Sequence, residues 1–470
     1  MKQLLILILL TIIFMPSFAQ QVPAFGPLPT ASQLAWHETE YYWFIHFGPN
    51  TFTDKEWGHG DEPEDIFNPT QLDCRQWART ARAAGAKGII ITAKHHDGFC
   101  LWPSKYSTHT VRESKWRNGK GDVVKELSLA CKEYGLKFGV YLSPWDRNHP
   151  KYGTPAYNQV FVNMMTEIFK NYGLIWEFWW DGANGEGPNG KKQVYDWPLF
   201  RETVKKLSPN TVVFSDIGPQ IRWVGNESGF AGTTNWNLLN VSGFTAGAGA
   251  PSTDTLNSGN IYGEKWIPAE CDVSIRPGWF YHKEEDEKVK SPEALFNLYL
   301  KSAGRGSTLL LNVPPDRRGL INGYDSAALM GFRKLRENSF RQNLLANSSV
   351  AVKISGKGKR ITSLTDGKQT TYEKVDSMSI QFKTATTINA IMLQEPIQMG
   401  QRIIKFRLLL QDKNGTTIKE LTGTTVGRKR ILSFPSVIAS KIQVMIDDAK
   451  ATPLISEVAA YHINEQLIEQ

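Results

Sequence analysis

Up to about Asn338 short apolar runs alternate with amphipathic stretches, and this alternation limits the possible folds more than any other feature of the 470-residue chain. The runs at 42–47, 88–92, 137–142, 175–180, 211–215, 232–236 (the weakest), 266–269 and 308–312 read as strands. Between them, 72–84, 122–133, 156–171, 199–207, 292–302 and 326–338 repeat their apolar residues with helical spacing. Eight strands separated by helices over some 300 residues predict a parallel (β/α)₈ barrel of the TIM type. A doubly wound open sheet should carry a glycine-rich phosphate loop after its first strand, and His46-Phe47-Gly48-Pro49 is not one.

Past Asn347 the pattern becomes short alternating strands with turn signals, including the hairpin turn Lys413-Asn414-Gly415, and predicts an antiparallel β-sandwich. All 15 tryptophans lie between Trp36 and Trp279, so the two parts are built differently. The expected division is a leader at 1–19, a barrel at 20–340 and a sandwich at 341–470. Lys2, the apolar stretch from Leu4 to Phe14 and Ser17-Phe18-Ala19 have the layout of a secretory signal, with cleavage expected after Ala19. That stretch is shorter than the roughly 20 residues a membrane span needs. The expected location is secreted or periplasmic, without a membrane span.

Net charge is +8, but residues 341–470 hold 18 Lys/Arg against 11 Asp/Glu, a surplus of +7, which leaves +1 for the rest. A nearly neutral barrel suits a neutral substrate. The basic sandwich lacks the aromatics that interleave nucleic-acid sites, so no nucleic-acid partner is expected. Cys74, Cys100, Cys131 and Cys271 are too scattered for a metal knuckle or a redox motif and are expected in the core.

In such barrels chemistry sits where the strands end. His46 closes the first strand, His95-His96-Asp97 follow the second, Tyr141 ends the third, Asp181 the fourth, and Glu270 the seventh. His95 and His96, being adjacent, would point apart if the strand continued, which suits sugar hydroxyls better than one shared metal. Glycosidic hydrolysis needs one carboxylate to attack or to activate water, and one carboxyl to protonate the leaving oxygen. Asp181, at the end of an apolar strand rich in tryptophan, is the candidate nucleophile. Two residues compete as the acid: Glu227, on a loop bracketed by Gly225 and Gly229, and Glu270. Trp57, Trp223, Trp279 and Phe280 are candidate stacking surfaces for a sugar ring.

Phe44-Ile45-His46-Phe47-Gly48, Glu56-Trp57, Lys94-His95-His96-Asp97-Gly98-Phe99, the Trp-Trp-Asp-Gly ending at Gly182, and Leu309-Leu310-Leu311-Asn312-Val313 occur in order over about residues 30–340. Together they resemble the α-L-fucosidases of glycoside hydrolase family 29, and the tail resembles the discoidin-like sandwich often appended to them. The resemblance implies a retaining exo-fucosidase with Asp181 as nucleophile. It implies that His46, Glu56, Trp57, His95, His96, Tyr141 and Arg222 hold the fucose ring, with Trp279 near its methyl group. Glu270 is left to hold a sugar hydroxyl if it is not the acid. The segment from Ile221 to Glu227 resembles the branch acting on α-1,3 and α-1,4 linkages, which places its acid/base at the position of Glu227. The implied partners are fucosylated oligosaccharides or glycoconjugates, and neither metal nor cofactor is called for. A broad-specificity fucosidase, a catalytically silent glycan-binding barrel and a metal-dependent hydrolase on the same fold are the competing readings.

Overall fold

A computed structural model describes residues 22–346, 348–354 and 356–468; the expected leader lies outside them. Eight strands close a parallel barrel: β1 (Tyr41–Ile45), β2 (Gly88–Lys94), β3 (Lys137–Leu142), β4 (Glu177–Trp179), β5 (Val212–Ser215), β6 (Ile221–Trp223), β9 (Ala269–Ser274) and β10 (Thr308–Asn312). The short β7 (Leu238–Leu239) and β8 (Lys265–Trp266) pair only with each other, antiparallel and outside the barrel. The weak run at 232–236 is therefore not the sixth strand. That role belongs to Ile221–Trp223, three residues too short to produce a visible pattern. The seventh strand begins at Ala269, where the sequence reading had it end.

Alternation along each strand decides which side chains enter the barrel. On β4, Glu177 and Trp179 point inward, while Phe178 and Trp180 pack outward against Phe169, Trp197 and Phe200. The inward positions Tyr42, Phe44, Tyr141, Trp179, Phe214 and Leu310 form one buried cluster. The outward ones join the larger core under the helices, where Cys74, Cys100 and Cys131 are buried. Helices such as Cys74–Ala83 and Val123–Glu133 are each started by an aspartate, Asp73 or Asp122, whose side chain accepts a first-turn N–H. Among the described residues no helix is long and apolar enough to cross a membrane.

After the helix Gly323–Phe340 comes an antiparallel sheet of β11 (Val350–Ile354), β12 (Lys357–Ile361), β14 (Ser377–Gln394), β15 (Ile403–Gln411), β16 (Thr417–Gly423), β17 (Arg430–Ala449) and β19 (Glu457–Tyr461). A small ladder of β13 (Glu373–Lys374) and β18 (Leu454–Ile455) adjoins it. Register breaks between Gln381 and Thr386 and between Ile388 and Ala390 divide β14 into two halves. The first half pairs with β11 and the second with β19, so long strands pass through both layers of the sandwich. The runs read from sequence as separate strands at 379–382 and 387–394 are these two halves. Polar contacts dock the sandwich on the barrel: Gln401 bonds the backbone of Asn235 and Asn237, and Arg428 and Lys429 pair with Glu38 and Glu40.

Candidate active site

At the C-terminal mouth of the barrel lies a cavity of about 310 Å³. Its wall includes His46, Glu56, Trp57, His95, His96, Tyr141, Asp181, Glu227 and Trp279, nine of the eleven residues named from sequence as catalytic or sugar-holding, and also Trp223 of the further stacking candidates. His46 and Asp181 arrive by the alternation set lower in their strands: His46 follows Tyr42 and Phe44, and Asp181 follows Glu177 and Trp179. The floor is aromatic, with Trp179 stacked on Phe214 at 3.7 Å between centroids and Tyr141 on Trp179 at 5.5 Å.

Asp181 accepts two hydrogen bonds, from the Tyr141 hydroxyl (2.9 Å) and the Ala183 N–H (2.7 Å). Burial raises its carboxyl above the usual range, while these two donors pull the other way by favouring the anion.

The histidines are held neutral. His46 is driven down to about 3 by burial, and its Nδ1 lies 2.9 Å from Asn312 Oδ1. The Asn312 amide donates to Ser274 Oγ and the Trp279 carbonyl, so Oδ1 is the acceptor and His46 carries its proton on Nδ1. His96 is likewise lowered to about 3, by burial and then by Lys94 and Arg147. Its Nδ1 meets Ser143 Oγ at 2.8 Å, and that hydroxyl donates to the Trp145 carbonyl, so His96 too is protonated on Nδ1. Its Nε2 faces Asp181 Oδ2 at 3.7 Å, too far for a direct bond. His95, pushed far down by burial, stacks on Tyr141, and both adjacent histidines reach the cavity because β2 ends at Lys94.

Opposite stand Glu227 and Trp279. Glu227 lies on the exposed loop after β6 and accepts the Trp279 indole N–H at 3.1 Å. Glu56 is occupied by protein donors: it accepts the Trp279 and Phe280 N–H groups and pairs with His282, fixing the loop that carries Trp279.

Two expected contacts lie elsewhere. Arg222 is the outward residue of β6, fully buried, and its guanidinium is spent on the carbonyls of Leu256, Ile267 and Trp236. Glu270 is the second residue of β9, so it lies beneath the floor instead of at the rim. It accepts from Tyr42 and from Trp179 Nε1 (2.7 Å) and sits against Glu177, which burial and Glu270 keep protonated. It does not line the cavity.

Two cavity carboxyls were missed. Asp272, two residues above Glu270, accepts from Trp223 Nε1 at 3.0 Å and is held neutral by burial, Glu227 and Glu270. Asp216 follows β5 and accepts from the Gly247 N–H. The same alternation would have found both, had β5 been extended one residue and β9 begun at Ala269. Among the described residues no group of three or more His, Cys, Asp or Glu is arranged to hold a metal.

The family model for alpha-L-fucosidase matches residues 25–334. Alpha-L-fucosidase 1 of Arabidopsis thaliana is 42% identical over 448 residues, 93% of this chain and 87% of that protein. A solved glycoside hydrolase 29 family member from an unknown rumen bacterium has a TM-score of 0.84 at 42% identity, over 94% of this chain and 78% of its own. A Ruminococcus gnavus GH29 fucosidase solved in complex with fucose has a TM-score of 0.83 at 28% identity, over 96% and 98% of the two chains. With the family model spanning well over half of its length, the chain belongs to the α-L-fucosidases of glycoside hydrolase family 29.

Proposed function

We propose that the chain is a retaining exo-α-L-fucosidase that releases α-1,3- or α-1,4-linked fucose from branched glycans. The observation that carries this is Asp181, an anion supported by two donors at the inward end of β4, sharing one cavity with the loop carboxyl Glu227. In the first step an Asp181 oxygen bonds to the anomeric carbon as the glycosidic bond breaks, and the leaving oxygen takes the Glu227 proton. In the second, Glu227 takes a proton from water, the water oxygen bonds to the anomeric carbon, and the Asp181 ester breaks. Two inversions give net retention. The bare Nε2 atoms of His46 and His96 accept sugar hydroxyls, and Trp279 and Trp57 offer ring faces to the sugar.

The linkage preference rests on the likeness of the segment from Ile221 to Glu227 to that branch. The first-formed anomer of released fucose, followed by NMR, tests the mechanism, and initial appearance of the inverted sugar refutes it. Release from Lewis-type trisaccharides should far exceed release from α-1,2 linkages; equal kcat/KM values refute the linkage reading. The same reading takes 20–340 as the hydrolytic unit and 341–470 as its accessory, in a protein exported to the periplasm or beyond. N-terminal sequencing of the mature protein tests export: a start at Gln20 supports it and a retained Met1 opposes it.

A further inference from the structure

Around the barrel rim the polar groups follow the order of the strands. His46 belongs to β1, His95 and His96 to β2, Tyr141 to β3, Asp181 to β4, Asp216 to β5 and Glu227 to the loop after β6. Asp216 thus lies on the arc between nucleophile and acid, away from the histidine flank. A bond cleaved between Asp181 and Glu227 has its leaving group on Glu227's side, so the arc at Asp216 borders the departing saccharide.

The surroundings of Asp216 are built to hold its carboxylate there. Oδ2 accepts the Gly247 N–H at 3.1 Å, and the only other donor to this carboxylate among the described residues is its own backbone N–H, so it keeps acceptor capacity to spare. Gly182, next to Asp181, has no side chain, and any Cβ there would collide with both Asp216 oxygens. Gly247, at φ +69°, presses on the Gly182 carbonyl, where a Cβ would come within 2.5 Å. The loop bearing Gly247 is pinned by Trp197 Nε1 on the Ala246 carbonyl at 2.9 Å. Ala183 and Ala250 complete this wall with side chains no larger than a methyl group, which leaves room for a second sugar. Burial lifts the Asp216 carboxyl to about 6, so it is an anion at neutral pH and a strong acceptor.

We propose that Asp216 reads the leaving saccharide: its carboxylate, with acceptor capacity to spare, accepts a hydrogen bond from a hydroxyl of the sugar being released. The inference rests on the reading in which Glu227 protonates that sugar.

Asp216→Asn tests it while keeping the fold, because the amide oxygen can stay on the Gly247 N–H and the amide nitrogen then turns a donor toward the cavity. The measurement is kcat/KM on a fucosylated trisaccharide and on an activated aryl α-L-fucoside, whose aglycone has no hydroxyl. The ratio of the first to the second should fall about 10- to 100-fold, the loss typical of a hydrogen bond to a charged group. An equal loss on both substrates, or no loss on either, overturns the proposal. The unaltered enzyme supplies a second measurement with trisaccharides lacking one aglycone hydroxyl at a time. One of them should lose as much as Asp216→Asn does and lose little more in that variant; if none is slowed, the proposal falls even where the variant does not fold. Failure of the linkage reading appears separately, as an absence of preference among linkages by the unaltered enzyme, and Asp216 is then judged on whichever trisaccharide that enzyme cleaves.

Discussion

Removing the hydroxyl of Tyr141 should move the acid limb of the pH profile upward, because that hydroxyl is one of two groups among the described residues that hydrogen-bond Asp181. Tyr141→Phe keeps the ring that packs on Trp179 and His95, so the cavity retains its shape. A hydrogen bond to a charged group is worth about 1.5–3 kcal/mol, and about 1.36 kcal/mol corresponds to one pKa unit. Loss of the bond should therefore raise the Asp181 carboxyl by about 1–2 units. The Asp181 side chain is 26% exposed, so water replaces part of the lost bond and the lower end of that range is expected. The sign follows from the proposed roles: with Asp181 attacking as the anion, a higher pKa removes the active form at low pH, and activity returns only at higher pH. The assay is kcat/KM against pH with an aryl α-L-fucoside, which reports the free enzyme. A limb that stays in place while the plateau falls would mean that Tyr141 serves substrate positioning only. A limb moving to lower pH would refute the reasoning outright.

Asp181→Asn should cost at least about 10³-fold in kcat with little change in thermal midpoint, since the amide fills the same space but cannot form the ester; retention of most of the activity would remove Asp181 as nucleophile. Glu227→Ala should lose oligosaccharide hydrolysis more severely than aryl-fucoside hydrolysis and be rescued by azide, which attacks the fucosyl-enzyme without base help. Glu270→Ala should instead lower stability, by about 2–4 kcal/mol in denaturant titration, because Tyr42 and Trp179 Nε1 lose their buried partner; rescue of this variant by azide would exchange the two roles. Glu40, where burial pushes the carboxyl up but Lys429 and Arg428 outweigh it, is held at about 2 against an ordinary 4.5, so it stabilises the domain contact above pH 4.5 and loses that contribution as pH falls toward 2. Glu40→Gln should flatten stability against pH across that window by at most about 3 kcal/mol, and an unchanged slope would locate the acid sensitivity elsewhere.

The barrel was legible from sequence where strands were long enough to show a pattern, as at Gly88–Lys94 and Thr308–Asn312. It was not legible at Ile221–Trp223, where two inward residues cannot establish a period and the loop leads straight into β6 from β5. Arg222, which the resemblance assigned to the sugar, is the middle residue of that strand; flanked by inward Ile221 and Trp223, it points outward. The error at Glu270 comes from a strand registered some four residues early, which placed a carboxylate at the rim that belongs two layers down. Side chains whose position follows from a motif and a well-defined strand end, such as His46, Tyr141 and Asp181, were located correctly relative to the mouth.

What no sequence pattern conveys is where the protons reside, and that distribution comes from residues behind the cavity wall. The Asn312 amide, oriented by Ser274 and the Trp279 carbonyl, determines that His46 bears its hydrogen on Nδ1. Ser143, whose own hydrogen is committed to the Trp145 carbonyl, does the same for His96. Both rings therefore present unprotonated nitrogens to the cavity, and burial keeps them so down to about pH 3. A charged imidazolium beside Asp181 would stabilise the carboxylate so well that it became a poorer nucleophile; neutral rings leave that task to Tyr141 and the Ala183 N–H. Beneath them, the shared proton of Glu177 and Glu270 lets two carboxyls lie under the floor without placing two negative charges there. Above that floor the alternation of β4 and β5 brings Asp181 and Asp216 to the same opening as the loop residue Glu227.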